Sequence, residues 1–162
     1  MNLSITIRPY RSSDEAQIIA IVRELQEHEL QFYDRLKPSS DIGPWYVDWI
    51  IDDNQRNAGH FLVADIAGLA VGYATLNPSM NSEESREEVF YEYAHVGDLA
   101  VLKSHRNRGI GHVLLAECER LARQAGRKWL RLGVHAGNTD ARRFYERFLL
   151  KERFLTLEKL LD

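Results

Sequence analysis

Hydrophobic and polar residues alternate along this chain with two periods, one of two residues and one of about 3.6, which are the periods of strands and of helices. The two-residue period predicts strands at residues 5–7, 60–65, 70–75, 91–102, 129–134 and 154–159. The helical period predicts helices at residues 12–31, 45–53, 110–125 and 138–148. Ser12, with Glu15 three residues later, has the form of a capping box at the start of the first helix. Pro44 suits the first turn of the second helix.

The order of these elements predicts an α/β fold. A turn at Gly68 joins the second and third strands, which indicates an antiparallel hairpin. The polar residues 77–88, which include Pro78, are predicted to form an exposed connection. The order β-α-α-β-β-β-α-β-α-β indicates a sandwich whose first strands are antiparallel and whose later strands include a β-α-β crossover. With neither repeats nor linkers, we expect residues 1–162 to form one domain.

Composition and charge narrow the class of protein. Of the 162 residues, 44% are hydrophobic and 28% charged, which predicts a folded domain and excludes a disordered chain. A net charge of -3 disfavours a protein whose main task is to bind nucleic acid. The charge is unevenly distributed, because residues 103–153 hold 13 Lys and Arg against 5 Asp and Glu. We expect the basic part to meet an anion and the acidic remainder to meet a cation.

A single cysteine and the N-terminal residues indicate the compartment. Cys118 has no cysteine partner, which excludes an intrachain disulfide and favours a reducing cytosol, and we expect it to be a small core residue. Residues 1–10 lack the regions of a signal peptide, and no apolar run approaches the roughly 18 residues that span a bilayer. A soluble, cytoplasmic protein without a membrane partner is expected. The histidines form no HExxH pair or acidic cluster, so no metal site is predicted.

The sharpest chemical feature is a glycine-rich turn between a strand and the strongest helix. Residues 99–101 end the strand, and residues 106–112 (RNRGIGH) open the helix. Free N–H groups, the helix dipole and two arginines at such a turn can bind a pyrophosphate. A Rossmann turn would need a third glycine where Leu114 stands, and a Walker loop would need Gly-Lys-Ser/Thr. The alternative is a glycine-rich turn with a solvated basic loop.

Three motifs together resemble the GNAT superfamily of acyl-CoA-dependent N-acetyltransferases. They are DLAV at residues 98–101, R-x-x-G-x-G at 106–111 and N-x-x-A-x-x-F-Y-E at 138–146. The resemblance implies the GNAT fold, with a mixed, mostly antiparallel central sheet flanked by helices and a V-shaped splay between the fourth and fifth strands. It also implies direct transfer of acetyl from acetyl-CoA to a primary amine of a small molecule or peptide, without a metal.

The resemblance further implies which residues bind acetyl-CoA. The main chain at the end of the strand would pair with the pantetheine arm, the arginine-glycine loop would bind the pyrophosphate, and an asparagine would hydrogen-bond the arm. These residues are Leu99, Ala100, Val101, Arg106, Asn107, Arg108, Gly109, Ile110, Gly111, His112 and Asn138. By residue type Asn138 is also a good helix N-cap, and both roles can coexist.

The resemblance implies a general acid, and the chemistry requires a route for the amine proton. Tyr145 matches the family position that often protonates the departing thiolate, and its alternative role is core packing. One of Phe144 and Tyr145 must face inward, and we expect it to be Phe144. Many relatives carry a Glu just before DLAV, where this chain has Gly97. The remaining candidates for the base are Asp98, Glu92 and His95, or a water relay. Their alternative roles are a structural hydrogen bond, a solvated edge and a packed ring, respectively.

Two further features concern the acceptor and the end of the last helix. The segment at residues 82–92 holds five Glu and one Arg, and either attracts a cationic acceptor or is a solvated loop. Aromatic residues in the region that lines the family's acceptor site, or that packs in the core, are Phe32, Tyr33, Trp45, Tyr46 and Trp49. The family's usual Gly-Phe after the last helix is replaced by Leu149 and Leu150, so we expect that helix to end differently.

Two alternatives belong to other functional classes. Gly97 in place of an acidic residue is compatible with a non-catalytic acyl-CoA-binding or sensing module. The basic residues 103–108 are compatible with a nucleic-acid-binding domain, although no aromatics are interleaved with them. A homodimer is common in the family, but no segment of this chain specifies one, and the sequence does not name the acceptor amine.

Overall fold

A computed structural model describes residues 4–82 and 87–161 of the chain. The strands are β1 (Thr6–Pro9), β2 (His60–Ile66), β3 (Leu69–Asn81), β4 (Glu92–Val101) and β5 (Leu130–Leu132). The helices are α1 (Glu15–Glu29), α2 (Pro44–Asn57), α3 (Ile110–Gln124) and α4 (Thr139–Arg147). Short 3-10 turns at Ser12–Asp14, Ser39–Asp41 and Lys103–His105 precede α1, α2 and α3.

The five strands form one mixed sheet in the order β1-β2-β3-β4-β5. The pairs β1–β2, β2–β3 and β3–β4 are antiparallel, whereas β4 and β5 are parallel. The β4–β5 ladder runs only from Ala94 opposite Leu130 to Val96 opposite Leu132, while β4 continues to Val101. The predicted splay between the fourth and fifth strands is therefore confirmed, as is the mostly antiparallel sheet flanked by helices.

A β-bulge in β4 explains where the splay begins. Ala74 pairs with Leu99 and Leu76 pairs with Val96, so Gly97 and Asp98 both lie opposite the single residue between Ala74 and Leu76. An extra residue bends the bulged strand and increases its local twist. The bend falls directly after Val96, the residue at which the ladder to β5 ends.

The sheet separates two apolar cores. One face packs against α1 and α2 through residues that include Ile18, Ile21, Val22, Val47, Ile50, Val63 and Tyr73. The other face packs against α3 and the partly buried aromatics of α4 through residues that include Leu62, Leu76, Val96, Leu114 and Cys118. Cys118 is fully buried, which confirms its prediction as a small core residue.

The predicted strand at residues 154–159 is wrong. Residues 151–161 have no regular secondary structure, and the side chain of Leu157 is 91% exposed. Alternating residues form a strand only where a sheet edge supplies hydrogen-bonding partners. The neighbouring edge strand, β5, is only three residues long instead of the predicted six, and offers little edge for pairing.

The predicted exposed connection at residues 77–88 is wrong in its first part, because β3 continues through Pro78 to Asn81. Proline has no N–H for a ladder, so it fits a strand where the ladder is irregular. The β3–β4 register shifts between Asn77 and Met80, which supplies that irregularity. The Pro78 carbonyl accepts a hydrogen bond of 3.1 Å from Arg127 Nε, which anchors the extended strand to the turn after α3.

Helix α1 begins differently from the prediction, at Glu15 and without a Ser12–Glu15 capping box. Asp14 takes the capping role, since its Oδ2 accepts 2.8 Å from the Arg11 N–H and 2.7 Å from Arg8 Nη1. The Asp14 side chain is buried, and its ion pair with Arg8 compensates the loss of solvation. Pro44 does open α2, as predicted, and α2 extends four residues beyond the predicted end.

Candidate active site

The outer edge of β4 presents free main-chain groups to the splay. The Leu102 N–H donates 2.9 Å to the Val71 carbonyl of β3. Main-chain groups alternate in direction along a strand, so those of Ala100 also point to β3, and those of Leu99 and Val101 point into the splay. The Val101 carbonyl accepts 3.1 Å from Arg106 Nε. The N–H groups of Leu99 and Val101 are therefore available to an extended ligand lying in the splay.

The loop after β4 ends in an uncapped helix N-terminus. Asn107 and Gly109 have left-handed φ angles of 60° and 81°, which turn the chain sharply into α3. The first hydrogen bond into this helix runs 3.1 Å from the Val113 N–H to the Gly109 carbonyl, and no side chain caps the end. The N–H groups of residues 110–112 therefore lack intrahelical acceptors.

These groups suit a diphosphate. Free N–H groups and the positive end of a helix dipole bind phosphate oxygens. A Cβ added to Gly109 would meet nothing within 4 Å, so the main chain is open to a ligand at this point. Arg106 is held in place by the Val101 carbonyl, and Arg108 is exposed beside it. The donor set of the loop therefore fits a diphosphate.

Asn138 is the N-cap of α4. Its Oδ1 accepts 3.2 Å from the Ala141 N–H, and the residue is buried. The capping role predicted from residue type is therefore confirmed. The hydrogen bond to a CoA arm, which the family resemblance implies, stays a prediction.

A cavity of about 170 Å³ opens at the splay, between α1, α2, β4, the end of β5 and α4. Its polar lining comprises two carboxylates, two phenols and an amide, from Glu29, Asp98, Tyr46, Tyr145 and Gln26. Apolar or main-chain walls are formed by Val22, Leu25, Val96, Gly97, Leu99, Leu132 and Gly133. The cavity shares Leu99 with the free edge of β4, so a ligand in the splay reaches it.

Asp98 is held by two tyrosines. Its Oδ2 accepts 2.9 Å from the Tyr73 hydroxyl and 3.0 Å from the Tyr46 hydroxyl. Its own N–H donates 2.8 Å to Thr75 Oγ1. Burial raises the pKa of the Asp98 carboxyl, and the two phenol hydrogen bonds oppose that rise. Burial and the Asp98 charge raise the pKa of both phenols, so they remain hydrogen-bond donors.

Phe144 and Tyr145 both pack against the apolar core under α3, but only Tyr145 also lines the cavity. The Tyr145 ring lines the cavity, and burial, with a smaller effect of the Glu29 charge, raises the pKa of its phenol to about 12. The Phe144 ring points to α3, where its Cζ would lie 3.5 Å from a Cβ on Gly111. Phe144 therefore packs between α4 and the start of α3, and Tyr145 faces the splay.

Glu92 and His95 lie outside this cavity. Glu92 forms an ion pair with Arg127 at the beginning of β4. His95 pairs in register with Asn77 on β3 and Arg131 on β5, and burial lowers the pKa of its imidazole. The structure brings Asp98 and Tyr145 together at the cavity, which neither Glu92 nor His95 lines.

Of the five aromatic residues predicted around the acceptor, only Tyr46 lines the cavity. Of the acidic segment at 82–92, residues 83–86 lie outside the described residues. Tyr46 lines the cavity, whereas Trp45 and Trp49 are about half exposed and do not belong to the core. Tyr33 stacks on His135 at 5.3 Å, and Phe32 lies 3.1 Å from a Cβ added to Gly137. The segment after α1 thus packs on the loop between β5 and α4.

Glu29 is a site residue that motif reasoning missed. It lies on the same stripe of α1 as Val22 and Leu25 and lines the cavity with them. Its Oε2 is 4.0 Å from His135 Nε2. Burial raises the pKa of the Glu29 carboxyl, His135 opposes this, and Asp98 adds to it. The signal in the sequence was a carboxylate that continues an apolar stripe at helical spacing.

A close contact with the Thr75 side chain opposes any side chain at position 97. A Cβ on Gly97 would lie 2.7 Å from Thr75 Oγ1, the atom that accepts the Asp98 N–H. Any side chain at position 97 would displace the threonine hydroxyl from that hydrogen bond. The glycine and the threonine therefore form a matched pair at the bulge.

Residues 4–82 and 87–161 contain neither a helix that could span a membrane nor a cluster that could hold a metal ion. Within those ranges no helix combines the length and the apolar character needed to cross a bilayer. The same part of the chain contains no group of three or more His, Cys, Asp and Glu placed to hold a metal ion.

The family model of the GNAT acetyltransferases matches residues 20–149. An uncharacterized N-acetyltransferase of Methanocaldococcus jannaschii is 28% identical over 109 residues, which cover 67% of this chain and 45% of that protein. Another, of Archaeoglobus fulgidus, is 32% identical over 100 residues, covering 62% and 63%. The match thus spans about half of the length of the first relative and just under two thirds of the length of the second.

Solved structures are similar over nearly the whole chain. A tetramutant of a Bacillus halodurans protein superposes with a TM-score of 0.85 at 18% identity, covering 96% of this chain and 99% of that one. An acetyltransferase of Trypanosoma brucei gives a TM-score of 0.68 at 19% identity, covering 98% and 100%. At these identities the similarity establishes the fold.

Proposed function

The chain belongs to the GNAT acetyltransferase family, and on this premise we propose that it transfers an acetyl group from acetyl-CoA directly to a primary amine of a small molecule or peptide. One observation carries the proposal: the free edge of β4 runs from the uncapped N-terminus of α3 to the cavity that Tyr145 lines. A ligand extended along that edge would have its phosphates at the helix and its reactive end at the cavity.

The donor thioester would be held mainly by main-chain groups. The N–H groups of residues 110–112, with Arg106 and Arg108, would bind the pyrophosphate. The N–H groups of Leu99 and Val101 would pair with the pantetheine arm, and Ala100 would contribute by fixing β4 to β3. Acetyl-CoA supplies an activated acyl group, and a main-chain N–H at Leu99 or Val101 would polarise its carbonyl.

The transfer requires one bond to form and one to break. The neutral amine nitrogen would bond to the acetyl carbon, the carbon–sulfur bond would break, and the sulfur would take a proton from the Tyr145 phenol, which the N–H proton lost by the nitrogen then replaces. A phenol with a pKa of about 12 is protonated throughout the neutral range, which is the state that a proton donor at Tyr145 needs. The amine-bearing end of the acceptor would lie in the cavity of about 170 Å³ that Tyr145 lines.

Calorimetric titration with acetyl-CoA tests the donor site. We expect micromolar binding by the wild type, and its loss in the Arg106→Ala, Gly109→Ala double variant. A nucleotide without the pantetheine arm should bind more weakly to the wild type, because it cannot pair with β4. Absence of binding by the folded wild type would contradict the proposal. Binding without CoA release over an amine panel would favour a non-catalytic acyl-CoA-binding module.

Tyr145→Phe tests the acid. General acid catalysis contributes about 10²–10⁴-fold, so CoA release should fall by that order while acetyl-CoA affinity is retained. Tyr10→Phe is a matched control, since Tyr10 stacks on Phe61 at 4.5 Å and does not line the cavity. Unchanged turnover in Tyr145→Phe would eliminate the acid role.

The catalytic unit and its location complete the proposal. Both walls of the site lie within the family match at residues 20–149, so we assign catalysis to one domain comprising residues 1–162. Cys118 is buried and alone in the chain, which suits a reducing cytoplasm. Glu92 and His95 are assigned no direct contact with the acceptor, because neither lines the cavity.

A further inference from the structure

The proposed reaction leaves one proton without an acceptor. A primary alkylamine is an ammonium ion at neutral pH, because its pKa is about 10.4, and it cannot attack a thioester before it loses a proton. Gly97 supplies no carboxylate, and Tyr145 is committed to the sulfur. The two carboxylates that line the cavity are Asp98 and Glu29.

These two carboxylates differ in how they are engaged. Asp98 Oδ2 accepts hydrogen bonds from two buried tyrosines, which stabilise its charge and restrict its movement. Among the described residues no hydrogen bond reaches the Glu29 carboxylate, and its ion-pair partner there is His135, at 4.0 Å. Glu29 therefore has lone pairs available to an ammonium ion in the cavity.

We propose that Glu29 accepts the proton of the acceptor amine and that His135 passes it to solvent. This inference rests on the proposed acetyltransferase function. It adds to that function a catalytic base on α1, a helix that none of the three sequence motifs includes. In the balanced step the ammonium N–H bond breaks, the Glu29 carboxylate becomes a carboxylic acid, and the neutral amine attacks. Glu29 then returns to the carboxylate by giving its proton to His135 Nε2.

The position of His135 suits it to carry a proton outward. It lies on the loop between β5 and α4, with its side chain 31% exposed, so that its ring connects the cavity wall to the surface. Stacking on Tyr33, at 5.3 Å and 18°, fixes the ring plane. The 4.0 Å between Oε2 and Nε2 exceeds a direct hydrogen bond, but one water or a small rotation of Glu29 closes it. Imidazole can accept a proton on one nitrogen and release one from the other.

Burial and the groups that face Glu29 together raise the pKa of its carboxyl on balance. Asp98 on β4, Tyr46 on α2 and Tyr145 on α4 share the cavity with it, and His135 approaches from the loop. Burial and the Asp98 charge raise the pKa of Glu29, whereas His135 lowers it. A carboxylate base is active only when ionised, so activity falls as the pH decreases through its pKa.

The test compares Glu29→Gln with Glu27→Gln in CoA-release assays from pH 5 to 10. Glu27 lies on the exposed face of the same helix and binds Ser39 Oγ at 2.8 Å, so the same substitution there should leave the profile unchanged. Glu29→Gln should lower kcat/KM by about 10²–10⁴-fold at pH 7 and keep the acetyl-CoA affinity. Its activity should then rise tenfold per pH unit toward the pKa of the amine. A fluorinated alkylamine that is already neutral at pH 7 should show little deficit.

His135→Asn tests the exit step. The His135→Asn substitution should slow turnover less than Glu29→Gln does, and added imidazole should restore the rate. The control is His60→Asn, because His60 lies at the start of β2. A Glu29→Gln profile that parallels the wild type, whether at full or at uniformly reduced rate, would overturn the assignment of the base. A His135→Asn variant that imidazole does not rescue would overturn the relay. A folded wild type that binds acetyl-CoA but acetylates no amine would overturn the proposed function itself, and this inference with it.

Discussion

Replacement of Gly97 by alanine should destabilise the protein through Thr75, and the two positions should be energetically coupled. The added Cβ would lie 2.7 Å from Thr75 Oγ1, a separation that real Cβ atoms do not tolerate. Relief of that contact requires the hydroxyl to turn away. The Asp98 N–H, which donates to it over 2.8 Å, then loses its acceptor at the bulge.

The expected magnitude follows from the groups involved. A buried N–H without an acceptor costs about 1–3 kcal/mol. Gly→Ala at a backbone conformation that alanine tolerates returns about 0.4–1 kcal/mol through the unfolded state. Gly97→Ala should therefore cost up to about 2.5 kcal/mol. Thr75→Ala should cost about 1–3 kcal/mol, because it removes the same acceptor. The double variant loses that hydrogen bond only once, so it should be no less stable than Thr75→Ala.

Urea unfolding of the wild type, both single variants and the double variant measures the coupling. Independent sites add within about 0.3–0.5 kcal/mol, whereas this pair should deviate by about 1 kcal/mol or more in the stabilising direction. Additive costs would refute the matched-pair explanation of the bulge. A coupled result would also explain why a glutamate cannot be installed at position 97 without a change at position 75.

Three further predictions concern the loop, the N-terminal ion pair and the C-terminal segment. Gly109→Ala should cost about 1 kcal/mol in urea unfolding, because its φ of 81° is left-handed, and should weaken acetyl-CoA binding in calorimetry. Asp14→Asn should cost about 3 kcal/mol or more at pH 7, because it leaves the Arg8 guanidinium with one of its two carboxylate partners. The Arg8 hydrogen bonds lower the pKa of Asp14. The contribution of Asp14 to the free energy of unfolding is therefore complete above the ordinary carboxyl pKa and is lost as the pH falls through the lowered pKa. The difference in stability between Asp14→Asn and the wild type should shrink below about pH 4. Leu157→Ser should change the melting temperature by less than about 2 °C, since the side chain is exposed. A larger decrease would indicate that residues 151–161 pack against the rest of the protein or against a second molecule in solution.

The central elements of the fold could be predicted because their patterns are long and locally consistent. Helix α3 has a strong apolar stripe and a glycine at its start, and its observed bounds agree with the prediction. The short or marginal elements depended on their surroundings. The alternating residues 154–159 found no sheet edge to pair with, and Pro78 was accepted in β3 because the ladder is irregular there.

The site divides in the same way. The loop at residues 106–112 and the cap at Asn138 are local devices, built from consecutive residues and main-chain geometry, and their motifs identify them directly. Glu29 and Asp98 are 69 positions apart, and their convergence depends on how α1 crosses the sheet. No motif records that crossing, although the carboxylate on the apolar stripe of α1 signalled a buried role.

The sequence by itself determined the family, the order of the main elements and the glycine-rich turn before α3, because each depends on residue type and short-range spacing. Only the tertiary structure decided where β4 bends away from β5, which of the candidate catalytic residues share the cavity, and that a side chain at position 97 would meet Thr75. Those features arise where one strand has two residues opposite one residue of its neighbour, and where side chains from α1, α2, β4 and α4 meet. Such meetings are fixed by packing between segments distant in the chain, which local propensity does not encode.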